Sequence, residues 1–200
     1  MSRIDSAEAA PPARVFSLPG GQPVWLRTIR PQDAGLLQAY LRQLTPESRR
    51  NRFLGALNEL APRELARLAA MDRPGEVALL AFAGAGRDAV MIGEAVGVIA
   101  PGSARGEIAL SVIDPWQRRG LGLLLMQTIE CRARAFGARH LFGDVLRTNT
   151  AMKGLARKAG FSIVSPFTDA RLIEIVKDLS RTPPGPLCAE QSVELPSIAA

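Results

Sequence analysis

The segment Gln117–Gly122 combines two arginines and two glycines, and residues of these types at this spacing could bind an anion. It follows a predicted strand that ends at Asp114–Pro115, because proline cannot donate to a sheet and fixes its own φ. An amphipathic helix begins directly after it, and the first turn of a helix offers unpaired N–H groups and a positive dipole end. The glycines lack the Cβ atoms that would keep a pyrophosphate from these amides, and the arginines add positive charge. The residues predicted to contact the anion are Gln117, Arg118, Arg119, Gly120, Leu121 and Gly122.

This spacing differs from that of the two common nucleotide-binding loops. The predicted first strand is not followed by Gly-x-Gly-x-x-Gly, and the chain contains no Gly-Lys-Ser or Gly-Lys-Thr of a P-loop. A pair of glycines between a strand and a helix often forms only a tight turn, and that alternative stays open here. The combination with a preceding strand, a proline and two arginines favours the anion site.

The elements that would position this turn alternate along the chain. Hydrophobic periodicity and turn residues predict strands at 24–30, 76–83, 90–99, 107–113, 140–146, 161–164 and 171–176, and helices from Pro31, after Pro46, from Pro62, at 120–136 and at 150–159. Their order indicates an α/β (α+β) domain with a mixed sheet of six to seven strands flanked by helices. The Pro-containing ends predict flexible tails at 1–20 and 181–200 around one domain at 21–180.

The composition argues against several classes of protein. No apolar run approaches the roughly 18 residues that would span a bilayer, and the first residues lack the build of a secretory signal. Cys131 and Cys188 lie far apart and suggest no disulfide framework, and with His140 as the one histidine we expect no metal site. The net charge of +6 favours an anionic partner, but the chain shows no recognised nucleic-acid-binding pattern. We therefore expect a cytoplasmic protein without a membrane or nucleic-acid partner.

A second segment downstream completes a pair of motifs. Gln117–Gly122 resembles the Gln/Arg-x-x-Gly-x-Gly/Ala signature of the GNAT acetyltransferase superfamily, and Asn149–Phe161 resembles its second recurring segment. The resemblance covers roughly residues 23–179. It implies a mostly antiparallel sheet, splayed between the strands at 107–113 and 140–146, with the pantetheine arm of acetyl-CoA in the gap. The cofactor-binding residues that it implies beyond the turn are Val112, Ile113 and Asn149.

The superfamily usually transfers an acetyl group directly to an amine, and such a transfer requires a general base. Glu107 is the candidate, because it shares a small, polar strand face with Ala109 and Ser111 and could attract a cationic acceptor. Many relatives that the chain resembles use a glutamate at this position as their base. A solvated residue at a strand end is the alternative. Glu94 on the preceding strand is the second choice, although a surface charge is the simpler interpretation there.

Two further positions bear on the remaining roles. Asparagine before an apolar helix is an N-cap by default, and Asn149 could combine capping with cofactor contact. Many members of the superfamily carry a tyrosine seven residues further on, which protonates the departing thiolate, but here that position is Ala156. The single tyrosine, Tyr40, has apolar neighbours that suggest packing, so we assign no general acid.

The acceptor depends on the early helices, the least shared part of the superfamily. The segment 45–53, which contains Arg49–Arg52, resembles together with 106–109 and Ala156 the catalytic domain of bacterial protein-lysine acetyltransferases. Solvation of a basic helix explains Arg49–Arg52 equally well. The resemblance therefore implies an acetyl-CoA-dependent N-acetyltransferase for a primary amine, with a protein lysine preferred, as a monomer or homodimer. A small-molecule amine acetyltransferase, a non-catalytic acyl-CoA-binding regulatory protein and a basic nucleic-acid binder are the alternatives.

Overall fold

The computed structural model describes residues 14–84, 86–165, 169–185 and 187–188. Its helices are α1 (Ala34–Gln43), α2 (Pro46–Phe53), α3 (Pro62–Ala69), α4 (Leu121–Ala135) and α5 (Thr150–Lys158). Its strands are β1 (Arg14–Ser17), β2 (Pro23–Thr28), β3 (Asp72–Arg73), β4 (Glu76–Ala83), β5 (Val90–Ile99), β6 (Arg105–Val112), β7 (His140–Leu146), β8 (Ser162–Val164) and β9 (Leu172–Asp178). The predicted α/β (α+β) class is confirmed, and β1 and β3 add to the strands that the sequence predicts.

Local chemistry sets the ends of several helices. Proline begins α2 and α3 at a position where its missing N–H would be unpaired in any case. Thr45 caps α2 by accepting a hydrogen bond from the Ser48 amide at 3.2 Å. Beyond α5, Gly160 has a φ of 81°, the left-handed geometry in which glycine ends helices.

The sheet opens in its middle. The strand order is β1-β2-β4-β5-β6-β7-β9-β8, with β3 paired to β4, and every pair is antiparallel except the parallel pair β6–β7. The β6–β7 ladder runs only from Arg105–His140 to Glu107–Phe142. Among the described residues, β6 has no further ladder partner in β7 from Ile108 onward, so the two strands diverge where the resemblance places a splay.

Helices cover both faces of the sheet. On one face α4 packs closely on β5, because a Cβ at Gly93 would lie 3.2 Å from Leu125 and one at Gly97 would lie 3.1 Å from Ile129. On the other face α1 contacts β5 and α2 contacts β6. We call this second side the α2 face, and its residues on β5 and β6 are Glu94, Val96, Val98, Glu107, Ala109 and Ser111.

A disulfide joins Cys131 of α4 to Cys188. The expectation of no disulfide from these two cysteines was wrong, because 57 residues separate them and no local spacing reveals the contact. Arg134 of α4 also donates to the carbonyls of Leu179 and Thr182, both at 2.8 Å. The chain after β9 is therefore attached to α4 as far as the structure describes it.

Ordered structure extends past both predicted domain boundaries. Strand β1 lies within the predicted tail 1–20 and pairs with β2. At the other end, Leu187 packs against the hydrophobic core within the predicted tail 181–200. Residues 1–13 and 189–200 lie outside the described residues, so flexibility there stays a prediction.

Candidate active site

The segment Gln117–Gly122, which we call the phosphate turn, connects β6 to α4 through a short 3-10 turn at Asp114–Trp116. Two residues have positive φ, Arg118 at 60° and Gly120 at 96°. The Leu124 amide makes the first helical bond, to the Gly120 carbonyl. Among the described residues, no backbone carbonyl accepts from the amides of 118–123. These amides, at the positive end of α4, remain available to an anion.

The two glycines of the phosphate turn have packing reasons that the sequence did not reveal. A Cβ at Gly120 would lie 2.8 Å from Pro19 Cδ in the β1–β2 connection, and the φ of 96° independently disfavours any L side chain. A Cβ at Gly122 would lie 3.0 Å from Leu155 Cδ2 of α5. Within the described structure, the spaces that these Cβ atoms would occupy thus belong to protein neighbours. Packing therefore constrains both glycines, and their role in admitting a pyrophosphate stays a prediction.

The two arginines of the turn differ in their surroundings. Arg119 donates to the Gln22 side chain at 3.1 Å, and its guanidinium lies 5.3 Å from the ring centroid of Trp116. Arg118 is exposed and adopts left-handed backbone geometry, which is unfavourable for a non-glycine residue. The structure therefore gives Arg119 a role in holding the β1–β2 connection and leaves Arg118 as the candidate cation for a phosphate.

The predicted contacts just before the turn are partly engaged within the protein. The Ile113 amide donates to the Ile92 carbonyl at 3.1 Å, and the Ile113 carbonyl accepts from the Trp116 amide at 2.9 Å. The Val112 carbonyl accepts from Gln117 Nε2 at 3.1 Å. Ile113 thus has little backbone capacity left for a cofactor, and the side chain of Gln117 supports the turn itself.

The gap between β6 and β7 narrows at one glycine. A Cβ at Gly143 of β7 would lie 2.7 Å from the Ile108 carbonyl oxygen, so only glycine permits this close approach of the two strands. Beyond this point the edge of β6 that faces β7 lacks a ladder partner in the described structure. An extended ligand lying there could supply hydrogen bonds that the ladder does not.

Helix α5 follows β7 and packs against the start of α4 through Leu155. Asn149 caps it by accepting from the Met152 amide at 2.9 Å, which confirms the default interpretation of this residue. Ala156 is fully buried. It occupies the position at which the superfamily resemblance places a tyrosine that acts as general acid. The structure therefore offers no proton donor at that position.

Glu107 lies on the α2 face, at the last pair of the β6–β7 ladder. Its side chain is exposed, whereas its face neighbours Val96, Val98 and Ala109 are partly buried. The predicted base thus lies at the edge of a mostly apolar surface. We call this surface, formed by Val96, Val98 and Ala109, the floor. A carboxylate in that place could accept a proton from an approaching amine.

Glu94 is 3% exposed, so the interpretation of it as a surface charge was wrong. Its carboxylate accepts from Arg52 Nε at 2.7 Å and from Ser111 Oγ at 2.6 Å. Because Ser111 has only one proton to donate, the Tyr40 hydroxyl donates in turn to Ser111 Oγ, at 3.0 Å. These four side chains form one buried network beneath α2, and Arg52 is not part of a solvated basic helix.

The network contains one ion pair, between the Arg52 guanidinium and the Glu94 carboxylate. Burial disfavours the charged Arg52 guanidinium, but attraction to the Glu94 carboxylate outweighs it and raises the pKa of Arg52. Burial, followed by the negative charge of Glu94, raises the pKa of Tyr40 well above its usual value. Tyr40 therefore stays neutral near physiological pH and completes the network as a hydrogen-bond donor.

Sequence reasoning missed Arg52, Tyr40 and Ser111 as partners. The available signal was the alternation of polar residues along β6, where Glu107 and Ser111 share a face.

Across the described residues, no group of His, Cys, Asp and Glu has the arrangement of a metal site. None of the helices that the structure describes has the length and hydrophobicity that a membrane-spanning helix requires.

The sequence and the fold of this chain are similar to those of known acetyltransferases. The sequence model of the Acetyltransferase (GNAT) family matches residues 40–161, more than half of the chain. An acetyltransferase of Pseudomonas aeruginosa is 28% identical over 147 residues, which cover 74% of this chain and 79% of that protein.

Solved structures share the fold, and two of them illustrate the likeness. The GNAT domain of S. lividans PAT has a TM-score of 0.75 and 24% identity, with 84% of this chain and 97% of that chain covered. The protein yncA of Salmonella typhimurium, solved with its cofactor acetyl-CoA, has a TM-score of 0.64 and 17% identity, with 82% and 98% covered. From its sequence match and its splayed sheet, the chain belongs to the GNAT acetyltransferase family.

Proposed function

We propose that this protein is an acetyl-CoA-dependent N-acetyltransferase that moves an acetyl group directly to a primary amine. One observation carries the proposal: the phosphate turn and Glu107 lie at opposite ends of the free edge of β6. Residues 108–112 between them extend roughly 17 Å at about 3.3 Å per residue. An extended pantetheine arm along this edge would bring its thioester close to Glu107.

Each part of the site would then have one task. The amides of 118–123 and the guanidinium of Arg118 would hold the pyrophosphate, and the free edge of β6 would orient the pantetheine arm. Glu107 would take a proton as the amine nitrogen attacks the thioester carbonyl. The C–N bond forms, the C–S bond breaks, and the thiolate of coenzyme A takes its proton from solvent because Ala156 supplies none.

A protein lysine is the acceptor that we prefer. The partly exposed floor of Val96, Val98 and Ala109 suits the aliphatic stem of a lysine whose ammonium group reaches Glu107. The likeness to the GNAT domain of S. lividans PAT is consistent with this choice. A small amine is the alternative, and the rim position of Glu107 admits both.

The test is amine-dependent release of coenzyme A from acetyl-CoA, measured by thiol detection with lysine peptides, a protein extract and small amines. Acetyl transfer to at least one primary amine is expected. Glu107→Gln should lower kcat/KM by about 100-fold or more while coenzyme A affinity, measured by calorimetry, stays within about twofold. Glu59→Gln, at an exposed carboxylate outside the sheet that pairs with Arg42, is the matched control and should leave both values unchanged.

Binding of acetyl-CoA without release for any amine would contradict catalysis and favour the second candidate, a non-catalytic acyl-CoA-binding protein. The buried Ala156 is the observation that keeps this candidate in view. Full activity in Glu107→Gln would instead contradict the assignment of the base.

A further inference from the structure

Helix α2 is attached to the domain by side-chain hydrogen bonds more than by burial. None of its residues is fully buried. At its C-terminal end Arg52 reaches Glu94, as described above. At its N-terminal end Asp114 Oδ1 accepts from Thr45 Oγ1 at 3.0 Å and from Ser48 Oγ at 3.1 Å, and Asp114 Oδ2 accepts from the Thr45 amide at 3.4 Å.

The same cluster reaches the phosphate turn. Gln117, the first residue of the turn, donates from Nε2 to Ser48 Oγ at 3.2 Å. The same nitrogen also donates to the Val112 carbonyl of β6 at 3.1 Å. We call Thr45, Ser48, Asp114 and Gln117 the clasp. It joins the start of α2 to the segment between β6 and α4 through contacts that span 66 to 69 residues of sequence.

We infer that Asp114 is a positioning residue that fixes α2 relative to the phosphate turn, and this inference rests on the proposed function. Asp114 is the shared acceptor for the hydroxyl groups of Thr45 and Ser48. Without it both hydroxyls lose their acceptor. The hydrogen bonds that hold the first half of α2 are then reduced to the Gln117 bond and the long bonds from Arg49 to the carbonyls of Leu41 and Arg42. Because α2 carries Arg52 over the α2 face, its displacement affects the acceptor more than acyl-CoA.

Steady-state kinetics with acetyl-CoA and the best amine acceptor separate these effects. Asp114→Ala is expected to raise the KM of the acceptor about tenfold, while the KM of acetyl-CoA changes less than about threefold. Asp114→Asn retains an oxygen that accepts from both hydroxyls, so it should restore values close to those of the unaltered protein. Glu59→Ala, which removes an exposed carboxylate paired with Arg42 of α1, is the control and should change neither KM.

Hydrogen exchange supplies a readout that does not depend on turnover. Exchange of the amides of residues 47–53 should be about tenfold faster in Asp114→Ala than in the unaltered protein, Asp114→Asn or Glu59→Ala, with core strand amides unchanged. Equal exchange in all four proteins would overturn the inference even if acetyl transfer is confirmed. Faster exchange in Asp114→Ala without any acetyl transfer would support the clasp and contradict the proposed function alone. An equal rise of both KM values would also overturn the selective positioning of α2.

Discussion

The phosphate turn and the α2 face are built in different ways. The turn relies on backbone: free amides at the start of α4 and positive φ at Arg118 and Gly120. The α2 face relies on side chains from distant segments, since Arg52 and Tyr40 reach their partners across 42 and 71 residues. A backbone site can persist while side chains change around it, whereas a side-chain network depends on the identity of every member. Side-chain substitutions should therefore disturb the α2 face more than the phosphate turn.

The largest effect is expected from breaking the α2 face. Glu94→Ala leaves the buried guanidinium of Arg52 without its carboxylate, and the free energy of unfolding should fall by about 3 kcal/mol. Urea unfolding checks this value. Glu59→Ala breaks an exposed ion pair with Arg42 and should cost less than about 1 kcal/mol. Equal losses in the two variants would contradict the importance assigned to the buried network.

The next effect concerns the backbone of the phosphate turn. Gly120→Ala places an L side chain at a φ of 96° and a Cβ against Pro19, so stability should fall by about 2 kcal/mol. Gly154→Ala in α5 meets no atom within 4 Å and should instead stabilise the protein by about 0.5 to 1 kcal/mol. Thermal unfolding of both variants distinguishes conformational strain from a general intolerance of larger side chains.

A smaller effect separates affinity from stability within the turn. Arg118→Gly removes a cation from the phosphate turn and should weaken coenzyme A binding about tenfold in calorimetry. The same change removes a non-glycine residue from a φ of 60°, so stability should not fall and is expected to rise by up to about 1 kcal/mol. A loss of stability together with unchanged affinity for coenzyme A would contradict both assignments made for Arg118.

The smallest effect concerns the ion pair between Arg27 and Asp33, just before α1. Burial opposes ionisation of Asp33, but hydrogen bonds from Arg27 and the Arg30 amide outweigh it and lower the pKa of Asp33. A lowered pKa stabilises the fold above the unfolded value near 3.8, and that stabilisation is lost as the pH falls through the lower folded value. The stability difference between the unaltered protein and Asp33→Asn, measured by urea unfolding, should therefore shrink below about pH 4. A difference independent of pH would contradict this assignment.

Much of the fold was predictable because its signals are local. Proline starts, hydrophobic periodicity and the motif at Gln117–Gly122 placed the strands and helices around the phosphate turn. The remaining contacts join segments that no local pattern connects. Cys131 meets Cys188, Pro19 packs against Gly120, and Glu94 is buried by Arg52. For that reason the turn was predictable from local residues, whereas the packing at its glycines was not, and the surface environment preferred for Glu94 was wrong.

The central claim is that the free amides at the start of α4 receive the pyrophosphate of acyl-CoA. A crystal structure of the protein with coenzyme A tests it most directly. Pyrophosphate oxygens are expected within hydrogen-bond distance of the amides of 118–123, with the pantetheine arm along the free edge of β6 and the sulfur toward Glu107. A coenzyme A whose phosphates lie away from these amides, or a β6–β7 gap left empty beside the bound ligand, would contradict the claim.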